Sequence, residues 1–184
     1  MKLTGRRLTL IPITKEEKEE FYQLATQSYG SQFWYDTSQK INKTRENFFE
    51  DWTDVYFDST NITDGQCFWI VVDDKKIGQV NSNEIDKENK RVELDIIIGR
   101  KEYLDQGYGP EALEILISYL FDNFDLNKVW IQSRNNNPRA MNAYKKVGFK
   151  QEGLLRQQDY FEGKFVDCTS FGLLKGEFEK HRSN

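Results

Sequence analysis

Histidine and cysteine are scarce in this 184-residue chain, which restricts the chemistry that it can perform. The single histidine, His181, lies in a polar segment near the C-terminal end, whereas Ser-His-Asp and Cys-His enzymes need an imidazole beside the nucleophile. The two cysteines, Cys67 and Cys168, are far apart and match no metal-ligand spacing. We interpret them as reduced structural thiols and expect no metal site. Any catalysis must therefore run without imidazole.

Long apolar runs are also missing, and neither basic nor acidic charge dominates. No segment approaches the roughly 20 apolar residues of a membrane-spanning helix. Residues 1–14 lack both the apolar core and the small-residue cleavage site of a signal peptide. The net charge is −4, and the sequence contains no basic stripe that could bind nucleic acid. The electrostatic field of such a chain mildly favours a cationic small molecule. A cytoplasmic protein that contacts neither membrane nor nucleic acid is expected.

The length and the 38% of hydrophobic residues predict one domain, residues 1–184, with one core. Alternating and helical apolar patterns predict a mixed α/β fold within it. Helices are predicted at 14–26, 44–56, 110–123 and 138–147, and 28–42 is interpreted as a loop. Strands are predicted at 7–13, 67–72, 77–85, 92–98, 129–131, 153–161 and 165–174. The aromatic residues of 44–56 fall at helical spacing and are interpreted as core contacts rather than ligand contacts.

Two glycines one residue apart, Gly107 and Gly109, precede the helix that is predicted to start at Pro110. Glycines let the backbone approach a ligand closely, and the free N–H groups of a helix N-terminus suit an anionic phosphate. The same spacing is also typical of an ordinary turn and helix cap. It is neither a Walker loop nor a dinucleotide fingerprint. These residues alone leave both readings open.

The helix predicted at 138–147 has a clear start and end. Asn137 can cap it, and Gly148 can end it in a left-handed cap. Ala140 and Tyr144 are one turn apart and share a face, where a small residue beside a phenol leaves room for a ligand. A half-buried core tyrosine is the alternative interpretation of Tyr144.

Together, the two segments resemble motifs of the GNAT acetyltransferase superfamily. L-D-Q-G-Y-G at 104–109 resembles [QR]-x-x-G-x-[GA], and N-P-R-A-M-N-A-Y-K-K-V-G-F at 137–149 resembles N-x-x-A-x-x-x-Y-x-x-x-G-F. Leu104 departs from the usual Gln or Arg, and Gln106 is the expected substitute for the lost polar contact. Segments 92–98 and 152–156 are similar to spermidine and ribosomal-protein N-terminal acetyltransferases, and 136–144 is similar to aminoglycoside 6'-N-acetyltransferases.

The resemblance implies a GNAT-like mixed sheet, mostly antiparallel, of about seven strands flanked by helices. This sheet would be splayed between its fourth and fifth strands, 92–98 and 129–131. The splay would expose backbone groups for the pantetheine arm of acetyl-CoA. The residues that the resemblance assigns to acetyl-CoA binding are Ile97, Ile98, Gly99, Leu104, Asp105, Gln106, Gly107, Tyr108, Gly109, Pro110, Asn137, Ala140 and Tyr144.

The implied activity is transfer of an acetyl group from acetyl-CoA to a primary amine, by direct attack in a ternary complex. The acceptor would be a polyamine, a protein N-terminus or an amino sugar, and acidic residues of 46–58 would line its approach. A homodimer is a further expectation from the family. The alternative function is a catalytically inactive sensor or scaffold that only binds acetyl-CoA.

Two residues are expected to move protons. Tyr144 matches the family's tyrosine and would protonate the departing thiolate, because a phenol stays protonated at neutral pH. Glu93 would accept a proton from the substrate ammonium, directly or through water. Asp95, which faces the same side of the strand, is the alternative base. Both carboxylates could instead be solvated partners of Lys90 or Arg91.

Overall fold

The computed structural model describes residues 1–34 and 44–182, which form an eight-stranded sheet flanked by helices. The strands are β1 (Leu3–Thr4), β2 (Thr9–Pro12), β3 (Gln66–Val72), β4 (Lys75–Ser82), β5 (Arg91–Ile98), β6 (Lys128–Arg134), β7 (Lys150–Phe161) and β8 (Lys164–Leu174). The α-helices among the described residues are α1 (Lys18–Gln27), α2 (Arg45–Asp51), α3 (Tyr108–Asn123), α4 (Pro138–Val147) and α5 (Lys175–Arg182). Much of the loop predicted at 28–42 lies outside the described residues. No described helix is long and apolar enough to cross a membrane.

The predicted mixed α/β fold is confirmed, whereas several elements and boundaries differ from the prediction. A two-residue strand, β1, adds an eighth strand at one edge of the sheet. Helix α3 begins at Tyr108 because Gly107, with φ 83°, adopts the left-handed conformation that precedes it. The helix predicted at 44–56 is interrupted, since Trp52 leaves the helical conformation and Asp54–Phe57 forms a separate 3-10 turn.

Each face of the sheet carries a hydrophobic core. One core packs the sheet against α3 and α4, with Leu113 of α3 fully buried in it. The other packs the sheet against α1 and α2 through aromatic rings such as Phe21 and Phe48. Successive side chains of a strand point to opposite faces, so β5 sends Val92 and Leu94 into the first core. Glu93 and Asp95 alternate with them and therefore point to the opposite face of the sheet.

The sheet is splayed between β5 and β6, as predicted. These strands run parallel and pair only from Arg91 opposite Lys128 to Glu93 opposite Trp130. Beyond that point β5 continues along β4 and β6 continues along β8, and both of those pairs are antiparallel. Residues 94–98 therefore have no β6 partner on the edge that faces away from β4. Backbone groups in such a position need another partner, which a ligand can supply.

Candidate active site

A cavity of about 700 Å³ opens where β5 and β6 diverge. This volume is within the roughly 300–1,000 Å³ that is typical of small-molecule sites. Its walls come from β5, the end of β6, the loop before α3, the N-terminal part of α3, helix α4 and the turn at 30–34. The divergence of two strands, rather than a single loop, therefore creates the space.

Most residues predicted to hold acetyl-CoA line this cavity. They are Ile97, Ile98, Leu104, Asp105, Gly107, Tyr108, Gly109, Pro110, Asn137, Ala140 and Tyr144. These residues come from three separate stretches of the chain, which the fold brings to one place. Two predicted residues, Gly99 and Gln106, are not among the lining residues.

The backbone of Gly99 is already engaged in the protein. Its N–H donates to the Ile77 carbonyl at 2.8 Å, and its carbonyl accepts from the Gly30 N–H at 3.3 Å. Both groups therefore have a partner within the protein, and the pairing of this backbone with a pantetheine arm stays a prediction. The unpaired edge available to a ligand ends at Ile98.

Gln106, the expected substitute for the polar contact that is missing at Leu104, is hydrogen-bonded within the protein. Its side-chain amide donates to the Glu102 carbonyl, and its own carbonyl accepts from Arg7 Nη1 at 2.9 Å. Leu104 lines the cavity with an apolar side chain. The Gln106 side chain thus points back toward the preceding turn of the chain, and its expected contact to the cofactor stays a prediction.

The turn before α3 has the geometry of an anion site. The first helical bond is donated by the Glu111 N–H to the Gly107 carbonyl at 3.2 Å, so the N–H groups of Tyr108 and Gly109 have no helical acceptor. The helix dipole adds a positive potential at this end. Glu111, the acidic residue of the first turn, is neutralised by Arg7 Nε at 2.7 Å. The site therefore fits a pyrophosphate group.

Two carboxylates of β5 face the cavity and share one amide partner. Asn83 Nδ2 donates to Glu93 at 3.3 Å and to Asp95 at 3.4 Å, and Asn81 Nδ2 donates to Asp95 at 3.3 Å. Burial, and then the charge of Asp95, raises the pKa of Glu93 to about 7. Burial also raises the pKa of Asp95. Glu93 is thus poised to bind and release a proton near neutral pH.

The alternative interpretation of these carboxylates, as solvated partners of neighbouring basic residues, does not fit the geometry. Arg91 pairs with Asp86 at 3.0 Å, and Lys90 pairs with Asp125 at 2.6 Å. Both basic residues belong to the turn and strand start that lead into β5, outside the cavity lining. The carboxylates face the cavity instead.

Tyr144 is buried in the wall of the same cavity. It is 5% exposed, and its ring packs against Phe149 and Phe171. Burial, followed by the charge of Asp95, raises the pKa of its phenol well above the ordinary value. The phenol therefore carries its proton at neutral pH. Tyr144 is therefore a residue of the core that also lines the space open to a ligand.

Several cavity residues were missed by reasoning from the sequence. They are Phe33, Trp34, Arg134 and Asp159 in the lining, and Asn81 and Asn83 behind the carboxylates. A pattern in the sequence marks the asparagines, since polar residues alternate along the strand predicted at 77–85. No pattern in the sequence marks the remaining residues, because their contacts join distant parts of the chain. The acidic residues of 46–58 are not among the lining residues, and their expected role along the approach of the acceptor stays a prediction.

The splayed sheet, the glycine turn before α3 and the cavity between them are the features that the resemblance to acetyltransferases implies. The sequence model of the acetyltransferase (GNAT) domain matches residues 7–150. The chain belongs to this family, and its class of activity is N-acetyl transfer. The predicted family membership is thereby confirmed.

Named relatives point to the same class. The chain is 33% identical over 105 residues to the uncharacterized N-acetyltransferase p20 of Bacillus licheniformis, covering 57% of this chain and 58% of that protein. It is 25% identical over 175 residues to spermidine N(1)-acetyltransferase of Escherichia coli K12, covering 95% and 90%. In fold it is similar to RimL, a ribosomal L7/L12 alpha-N-protein acetyltransferase solved with coenzyme A. That match has a TM-score of 0.80 at 15% identity and covers 95% of this chain and 98% of that one.

Proposed function

We propose that this protein transfers the acetyl group of acetyl-CoA to a primary amine by direct attack in a ternary complex. The proposal rests on a single cavity that is lined by both a proton acceptor, Glu93, and a proton donor, Tyr144. Glu93 has a pKa of about 7, and Tyr144 keeps its proton at neutral pH because burial raises the pKa of its phenol. Acyl transfer to an amine that arrives as an ammonium requires a base that takes up a proton near neutral pH. It also requires an acid that keeps its own proton until the thiolate leaves.

The donor would be held by backbone groups at two places. The free edge of 94–98 offers N–H and carbonyl groups to the amides of a pantetheine arm, and the turn at 107–109 offers N–H groups to the pyrophosphate. Asn137 and Ala140 flank the space between these places. Bound acetyl-CoA would supply the acetyl thioester and a thiolate leaving group.

The side chains would then move two protons. Glu93 accepts a proton from the acceptor ammonium, so that a neutral amine is present to attack. Asp95 stays beside it and, through its charge, keeps the pKa of Glu93 high enough for this exchange near neutral pH. As the new C–N bond forms and the C–S bond breaks, Tyr144 gives its proton to the leaving sulfur, and the surplus proton of the amide nitrogen is released to solvent. No imidazole or cysteine nucleophile is needed in this scheme.

The acceptor side of the cavity suits a cationic amine. Glu93 and Asp95 supply negative charge, and Phe33 and Trp34 supply aromatic surface, which attracts cations through its ring faces. A polyamine and a protein N-terminus both meet this requirement, as does an amino sugar. The spermidine and ribosomal-protein enzymes among the similar proteins support the first two.

Release of CoA thiol from acetyl-CoA tests the proposal with spermidine, a serine-initiated peptide and an amino sugar as separate acceptors. Acetylation of at least one of them is expected, with a product of matching mass. Tight CoA binding in calorimetry without turnover on any amine would instead favour the sensor or scaffold. The intact Glu93 and Tyr144 argue against that alternative.

A further inference from the structure

Arg134, the last residue of β6, connects three parts of the cavity wall. Its Nε donates to Asp159 of β7 at 2.7 Å. Its Nη1 and Nη2 donate to the carbonyls of Phe33 and Trp34, each at 3.1 Å. The side chain is 17% exposed. All three nitrogens of the guanidinium are therefore committed to groups within the protein.

The two carbonyls belong to the turn that closes the acceptor side of the cavity. This turn crosses the end of β5, where a Cβ at Gly30 would lie 2.2 Å from the Ile98 carbonyl oxygen. The turn thus rests directly on the backbone of β5 at one end. At its other end, the ring of Trp34 stacks on Trp52 at 5.6 Å, on the same face of the sheet as Glu93.

Arg134 supplies donors to the end of this turn. Carbonyls at the end of a helical turn have no N–H donor within the turn itself and must be satisfied from elsewhere. A guanidinium presents a rigid planar fork that reaches two carbonyls and one carboxylate at once, whereas an ammonium is a compact charge whose three N–H donors have no such fixed, widely spaced geometry. Asp159 fixes the orientation of that fork and balances its charge. Arg134 and Asp159 thus form an ion pair without net charge in the cavity wall.

We propose that Arg134 is a positioning residue that holds Phe33 and Trp34 in place as the wall of the acceptor site, with Asp159 orienting it. The proposal rests on the proposed function, since it concerns the amine side of that same cavity. It predicts that loss of the fork weakens binding of the amine while leaving acetyl-CoA binding intact. The donor sites at 94–98 and 107–109 are separate from the groups that the guanidinium of Arg134 contacts.

The first test is Arg134→Lys, which keeps the positive charge but not the fork. Loss of hydrogen bonds that involve a charged group is expected to raise KM for the amine by about 10- to 100-fold. The dissociation constant of CoA by calorimetry should stay within about 2-fold of wild type. The matched control is Arg91→Lys, because Arg91 pairs with Asp86 outside the cavity. Asp159→Asn is the second variant and should shift KM in the same direction by less.

A second readout does not depend on the acceptor. Cys168 lies 3% exposed in the wall beside Arg134 and Asp159, whereas Cys67 is fully buried elsewhere. Loosening the wall in Arg134→Lys should raise the labelling rate of Cys168 by a thiol reagent at least several-fold, with Cys67 unchanged. This variant preserves the charge beside the thiol, so the rate reports access.

The outcomes separate the two proposals. Failure of the wild type on every amine would remove the proposed function, while the labelling rate would still test the wall. Unchanged Cys168 labelling, or equal increases in KM for amine and for acetyl-CoA, would overturn the role of Arg134. If Arg134→Lys does not fold, Asp159→Asn carries the KM comparison alone, and equal increases in KM for amine and for acetyl-CoA would again overturn the role of Arg134.

Discussion

At the scale of single residues, Tyr144 separates catalysis from ligand binding alone. Tyr144→Phe keeps the ring and its packing against Phe171 but removes the proton, so turnover is expected to fall roughly 10²- to 10⁴-fold. CoA affinity should barely change, and the melting temperature should fall only slightly because one hydroxyl is lost. Steady-state kinetics, calorimetry and thermal unfolding of the one variant measure all three.

Tyr119→Phe is the matched control for this experiment, because Tyr119 lies on α3 outside the cavity lining. It should leave turnover unchanged. Near-normal turnover of a well-folded Tyr144→Phe protein would contradict the assignment of the phenol as the proton donor.

The pH dependence of the reaction is set by Glu93 and its neighbours. Activity should rise with pH through an apparent pKa of about 7, since the carboxylate form is the base. Asp95→Asn removes a negative charge that raises this pKa, so the rising limb should move to lower pH. Asn83→Leu removes a hydrogen bond that lowers the pKa of Glu93, so the limb should move to higher pH.

Profiles of kcat/KM for the amine in the wild type and these variants measure the shifts. The two carboxylates interact, so each profile reports the pair rather than one residue. Shifts of the same sign in Asp95→Asn and Asn83→Leu would disprove this arrangement of charges.

At the scale of structural elements, the turn between β5 and α3 is expected to control donor binding. Gly107 has φ 83°, a conformation that costs a β-branched residue about 1–2 kcal/mol or more. Gly107→Val should therefore lower both stability and CoA affinity, because the N–H groups of 107–109 are displaced. Calorimetric titration with CoA measures the loss, which we expect to exceed about 10-fold.

Gly163 offers a control with the same backbone strain. It has φ 79° in the turn between β7 and β8, and a Cβ added there would have no atom within 4 Å. Gly163→Val should cost similar stability but leave CoA affinity unchanged. Equal losses of affinity in both variants would mean that strain alone, rather than an anion site, explains the effect of Gly107.

At the scale of the whole molecule, the raised pKa of Glu93 links function to stability. A carboxyl group whose pKa rises from 4.5 to about 7 on folding binds protons more tightly in the folded state. Its contribution favours folding at low pH and is lost as pH rises from about 4.5 through 7. Glu93→Gln removes this penalty, so the variant should gain melting temperature relative to wild type at about pH 8 but not at about pH 4.

Thermal unfolding of both proteins at the two pH values tests this linkage. Glu152→Gln is a suitable control, because Glu152 pairs with Lys128 at the surface and away from the cavity lining. A gain of similar size at both pH values would show that Glu93 is not held with a raised pKa.

Local patterns in the sequence determined the elements and the two motifs. Alternation of apolar residues set the strands, and Asn137 and Gly148 set the ends of α4. There the structure shows a capping bond from the Ala140 N–H at 3.2 Å and a left-handed φ of 103°. Such features depend on neighbours within one or two turns of the chain, so short stretches of sequence specify them. The resemblance to acetyltransferases then supplied the splay that periodicity could not give.

Tertiary structure alone decided how the site is completed. Arg134 and the Phe33 carbonyl are 101 residues apart, and only the packing of the turn at 30–34 across β5 brings them together. The same packing uses the Gly99 backbone, and Arg7 from the first hairpin fixes the carbonyl of Gln106. The pKa of Glu93 likewise rises through burial that no local pattern encodes. Hydrogen bonds and burial between distant segments depend on the global path of the chain. For this reason the sequence determined the motifs, whereas the fold decided which of their residues face the ligand.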